Sequence, residues 1–120
     1  MPRDWLLYLD DIQNAIHKIK TYMKDLDFRQ FSNDEKTQDA VVRNLEVIGE
    51  AARLLPQEIR AASHDIEWRK IIGLRNLLAH EYFGINLAIV WDVVTSKLDD
   101  LNEVCEYLRQ NHTNAPSENE

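Results

Sequence analysis

The chain has 120 residues, of which 44% are hydrophobic, 29% charged and 8% aromatic, with three Gly, three Pro and one Cys. That composition suits one compact helical or mixed domain and excludes collagen-like and low-complexity classes; no run of eighteen apolar residues offers a membrane span, and the N-terminus shows no secretory signal. A lone Cys105 makes no internal disulfide, so the expectation is a protein of a reducing cytoplasm. The net charge of −7 argues against broad adhesion to nucleic acid, but the sign is uneven. Arg53, Arg60, Arg69, Lys70 and Arg75 outnumber Glu58, Asp65 and Glu67, whereas beyond His80 only Lys97 and Arg109 face eight carboxylates. An RNA site would therefore be local.

In chain order, Leu9, Ile12, Ile16, Ile19, Met23 and Leu26 recur at steps of three and four, which predicts a first helix. The stretch 28–33 breaks the pattern. Ser32-Asn33-Asp34-Glu35 then reads as a capping box opening a second helix, whose stripe of Val41, Leu45, Ile48, Ala52 and Leu55 ends before Pro56. Residues 56–62 suit a short helical piece with Pro56 at its first position. Asp65 or His64 would precede a further helix carried by Trp68, Ile71, Leu74, Leu77 and Leu78 to about Tyr82, with Gly84 as its stop. Asn86 would cap a long last helix striped by Leu87, Val90, Val94, Leu98, Leu101, Cys105 and Leu108. The expected fold is all-α, an antiparallel bundle of four to five helices forming one domain over 1–110, with Met23, Trp91 and Cys105 in its core. Residues 111–120 read as a disordered tail.

Chemistry gathers at Arg75-Asn76-Leu77-Leu78-Ala79-His80-Glu81-Tyr82. On an ideal wheel with Arg75 at zero, Asn76 falls at about 100°, Ala79 near 40°, His80 near 140° and Tyr82 near −20°, while Ile71, Leu74, Leu77 and Leu78 occupy about 200–320°. The polar arc is thus expected opposite the core. Glu81, at about 240°, falls on the apolar side, which suggests that the helix turns by then. Arginine supplies a planar fork for phosphate, histidine takes and gives a proton near neutral pH, and asparagine can hold a ribose or phosphate oxygen. An ordinary solvated face remains the alternative. Because Arg75 and His80 stand about 140° apart on one helix, a two-fold dimer pairing these faces would complete a cleft with two cations and two imidazoles.

At these residues the chain resembles the HEPN superfamily, and within it the HepT-like toxins, whose signature is R-N-x-x-x-H-x-Y. The residues 43–56, 68–76, 82–86 and Val90-Trp91 resemble the family's flanking segments, so the likeness runs from residue 4 to about 109. The resemblance implies a dimeric all-α ribonuclease acting on tRNA or mRNA, with Arg75 and His80 as catalytic pair and Asn76 in support. It implies no cofactor and no metal. It also implies a partner, an MntA-like nucleotidyltransferase antitoxin that transfers AMP from ATP to Tyr82. The acidic residues Asp92, Asp99, Asp100, Glu103 and Glu106 offer a contact surface for it or a plain solvated face. The rival reading is a non-catalytic dimeric module that docks the nucleotidyltransferase. A metal-carboxylate bundle is disfavoured, since the residues three before His17, His64, His80 and His112 are Asn14, Ala61, Leu77 and Arg109. His17 and His112 read as structural or solvent-facing, and Glu46 and Glu50 as a pair able to orient Arg53 or Arg75.

Overall fold

The computed structural model describes residues 4–63, 65–80 and 86–114, and for 75–80 and 112–114 the backbone alone. The first helix, α1 (Trp5–Met23), begins where the Asp4 carboxylate accepts the Leu6 N–H at 3.0 Å, and it buries Leu9, Ile12, Ala15, Ile16 and Ile19. It stops short of Leu26. Asp25 takes φ 65°, a left-handed conformation that ends the helical repeat, and the Leu26 N–H folds back onto the Met23 carbonyl.

The stretch read as a break is a short helix, α2 (Phe28–Ser32). Asp27 and Gln30 form a reciprocal capping box, with bonds of 2.8 and 2.9 Å, and the turn exists to seat Phe31, which is fully buried. The next helix, α3 (Glu35–Leu54), correspondingly starts one residue before Glu35 on Asp34, and not on a box between Ser32 and Glu35. The Asp34 carboxylate accepts the Thr37 N–H at 3.0 Å and the Thr37 hydroxyl at 2.6 Å, an arrangement that lowers its pKa. Gln38 donates to the Phe31 and Ser32 carbonyls and ties the two helices together.

Leu55 is extended before Pro56, as the pre-proline restriction demands. Pro56 stands just ahead of α4 (Gln57–Ala61) instead of at its first position. The first turn of α5 (Trp68–His80) closes on the Glu67 carbonyl, two residues beyond Asp65. His64, the expected frayed end at Glu81 and the expected stop at Gly84 lie outside the described residues. The Asn86 side chain accepts the Ala88 N–H at 2.9 Å and caps α6 (Leu87–Asp92). A single π turn over Val93–Lys97 then leads into α7 (Leu98–Asn114), so the backbone of 111–114 is helical where a tail was expected.

That π turn keeps the stripe in the core. Val90, Val94 and Leu98 are spaced four and four, and an ideal α-helix would carry Leu98 about 80° past Val90 over those eight residues. A wider turn absorbs the excess, and Val90, Val94, Leu98, Leu101, Cys105 and Leu108 are all buried.

Four long rods, α1, α3, α5 and the α6–α7 rod, make the bundle; among the described residues there is no strand. The centre is α3, which packs on α1 along one side and on α5 along the other. Its inner residues Val41, Leu45, Ile48 and Ala52 are essentially inaccessible to solvent. α7 lies antiparallel to α1, as its polar pairs record: Arg109 donates to Asp10 at 2.8 Å and to Gln13 at 2.6 Å, Gln13 donates to Glu106 at 2.7 Å, and Lys20 pairs with Asp99. Phe28 and Phe31 of α2 meet Trp91 of α6 at ring-centre distances of 5.7 and 5.8 Å, closing the end of the bundle. Trp91 and Met23 line the core's edge, and Cys105 is inside it.

Two outcomes test this packing. Leu101→Ala, at a site with no solvent exposure, destabilises the protein by about 2–5 kcal/mol in urea unfolding. Asp34→Ala is also destabilising at neutral pH, and the difference from the parent shrinks as pH falls through the lowered carboxyl of the folded state, because protonation removes the cap from the parent itself.

Candidate active site on the fifth helix

Trp68 and Ile71 turn α5 onto the core, Trp68 at 9% and Ile71 at 8% exposure, while Ile72 and Leu74 are half-buried. On the wheel with Arg75 at zero, these two buried residues fall at about 20° and 320°. The core-facing side is therefore rotated from the expected 200–320° toward the register of Arg75 itself. A large aromatic one helical face away from the aliphatic stripe causes the shift, since burying Trp68 outweighs burying Leu74.

The opposite side of α5 is open. Gly73, at about 160°, has nothing within 4 Å of the position a Cβ would take. A glycine inside a helix costs about 0.5–1 kcal/mol relative to alanine, and nothing within this chain requires it there. His80 shares that side of the helix in register, at about 140°. The fold thus carries Arg75, Asn76 and His80 on one continuous helix backbone, with Arg75 in register with the α3 side and His80 in register with the open side. Their side chains, and Tyr82 altogether, lie outside the described residues.

On α3, Glu50 is engaged with Arg53 by two bonds, Nε to Oε1 at 3.1 Å and Nη2 to Oε2 at 2.7 Å, which raises the arginine's pKa. The pair is solvent-exposed, so it organises the helix surface without adding much stability. The same helix exposes Val47 and Leu54. Other chemically interesting groups are elsewhere. Burial pushes the Cys105 thiol up to about 12, which makes it an inert core residue at neutral pH. His17 is solvent-exposed on α1, and its carbonyl accepts the Thr21 hydroxyl. Among the described residues no three His, Cys, Asp or Glu side chains are placed to hold a metal ion. No helix among them is long and apolar enough to cross a membrane.

The acidic residues of the last rod divide. Asp99 and Glu106 turn to Lys20 and Gln13 of α1, and Asp92 accepts from Ser96 within the π turn. Asp100 and Glu103 instead line a cavity on the other side of α7. Sequence reading had grouped all five as one surface, because spacing along a helix does not reveal which flank a neighbour occupies.

The family model described as ribonuclease HepT-like matches residues 12–108, which includes nearly all of α1 and every later helix to the end of the core stripe. A candidate RNase of Methanocaldococcus jannaschii is 40% identical over 91% of this chain and 92% of its own length. The probable ribonuclease HepT of Thermococcus cleftensis is 36% identical over 92% of this chain and all of its own length. The mRNA nuclease HepT of Shewanella oneidensis is 30% identical over 83% of this chain and 97% of its own. No solved structure matches. With the family model spanning most of the bundle and relatives of equal length aligned through the motif helix, the chain belongs to the HepT-like ribonuclease family of HEPN type.

Proposed function

We propose that the protein is the toxin of a toxin–antitoxin pair, an endoribonuclease that cuts tRNA or mRNA in the cytoplasm without a metal and is silenced by AMP transferred to Tyr82. The observation that carries this reading is the ungapped run Arg75-Asn76-Leu77-Leu78-Ala79-His80-Glu81-Tyr82 inside a family match that covers residues 12–108. Its relatives carry ribonuclease and mRNA nuclease names, which supports RNA as the substrate.

One chain holds one motif histidine, whereas cleavage of an RNA phosphodiester needs a base for the ribose 2′-OH and an acid for the departing 5′-oxygen. A two-fold dimer through the open side of α5 supplies both from His80 of the two copies. The first imidazole removes the 2′-OH proton as that oxygen attacks phosphorus. The second gives its proton to the 5′-oxygen as the P–O5′ bond breaks, leaving a 2′,3′-cyclic phosphate. Arg75 neutralises the charge that builds on the phosphorus oxygens, and Asn76 holds a ribose or phosphate oxygen in place. The bare backbone at Gly73 suits close approach of a second helix or of the RNA strand. AMP on Tyr82 adds phosphates within reach of Arg75 and fills the cleft, which accounts for neutralisation by an MntA-like nucleotidyltransferase.

The direct test is cleavage of total cellular RNA in EDTA by the unmodified full chain, its mass checked for AMP, beside His80→Ala. The parent cleaves, and the variant loses about 100-fold or more. No cleavage by the unmodified parent, or equal cleavage by both, would support the docking-module reading instead. A second variant reads the open side of α5. Gly73→Ala raises the unfolding free energy by about 0.5–1 kcal/mol and lowers cleavage, since a methyl gains helix propensity but intrudes on the approaching partner; a variant both more stable and fully active would remove Gly73 from the cleft.

A further inference from the structure

A cavity of about 580 Å³ opens between the turn joining α4 to α5 and the flank of α7. Asp100, Glu103, Val104 and Tyr107 line it from α7, at the three, four and seven residue steps of a single helical face, and Ser63 and Asp65 line it from the turn. None of Asp65, Asp100 and Glu103 has a cation partner, in contrast to Asp99 on the other flank of the same helix, which Lys20 neutralises. Ser63 is 7% exposed and its hydroxyl makes no hydrogen bond among the described residues. A buried hydroxyl in a cavity wall with no partner in its own chain is a group awaiting one, because leaving it unsatisfied costs stability.

We propose that this cavity binds an organic cation, an alkylammonium or guanidinium group. Three carboxylates around one cavity repel phosphate and with it RNA. They are also too dispersed to chelate a bare ion, since no three acidic or imidazole groups among the described residues gather at metal-ligand spacing. A volume of about 580 Å³ is many times the roughly 30 Å³ share of one water and falls in the range of small-molecule sites. Spaced carboxylates match the several N–H donors of an extended cation, the Ser63 hydroxyl accepts one of them, and the Tyr107 ring at the rim offers a face to the positive charge. Lys70 and Lys97 line the adjoining cavity, which shares Asp65 and Asp100, and they bound the site on that side. This assignment is independent of the ribonuclease reading, because binding here needs neither RNA nor the α5 motif.

Two sources present such a cation, a free polyamine and an arginine side chain of a protein, and the experiment separates them. The full chain is titrated calorimetrically with spermidine and, separately, with N-acetyl-argininamide, at fixed ionic strength with magnesium chloride as the control for plain screening. Saturable binding of spermidine identifies a polyamine site, and saturation by the argininamide alone identifies a pocket for a protein's arginine. In either case Glu103→Gln with Asp100→Asn weakens binding by about tenfold or more, while Asp92→Asn on the same rod does not. The proposal is overturned if neither probe saturates, if magnesium gives the same response, or if the double variant binds like the parent.

Discussion

Burial of Trp68 and Ile71 against α3 is the constraint on which the site depends. Those two side chains fix the rotation of α5 about its own axis. Once that angle is set, the register of every later residue on the helix follows from its periodicity, down to which flank carries Arg75 and which carries His80. Nothing about the motif itself sets the angle. It comes from a tryptophan seven residues earlier that finds its place beside α3, whose inner face of Val41, Leu45, Ile48 and Ala52 has almost no solvent contact. A central helix packed on both sides is hard to shift, so it serves as the rigid reference for the chemistry displayed next to it.

The rest of the bundle holds that reference in place. α1 closes one side of α3 and brings α7 with it through an antiparallel ladder of polar pairs, from Asp10 and Arg109 at one end to Lys20 and Asp99 at the other. Each exposed pair is weak, but a ladder matched along the whole length favours one register of α7 over its neighbours. The aromatic group of Phe28, Phe31 and Trp91 does the same at the end of the bundle where the chain re-enters after the motif. α6 begins at Leu87, so the segment carrying Tyr82 is tethered at both ends by anchored helices.

Much of this was legible in the residues. The four long rods follow from apolar spacing, and Asn86 as a cap and Pro56 as a boundary follow from local chemistry. Missed features had signals of their own. Asp27 and Gln30 spell a capping box ahead of Phe31, but the helix they open is too short to show a period. The two consecutive steps of four at Val90, Val94 and Leu98 foreshadow the π turn, which a search for ideal periodicity reads past. The rotation of α5 was not legible, because several apolar residues competed for one core face and only three-dimensional packing chooses among them. The cavity was not legible either: Ser63 and Tyr107 lie far apart in sequence, and no helical spacing links the α4–α5 turn to α7.

The central claim is that the working cleft belongs to two chains, each giving one histidine. Subunit mixing tests it most directly. Parent and His80→Ala chains, co-refolded in equal amounts at constant total protein, should retain about a quarter of the parent's RNA cleavage if only dimers with two intact histidines are active. Retention of about half, the value for chains that each act alone, would contradict the account.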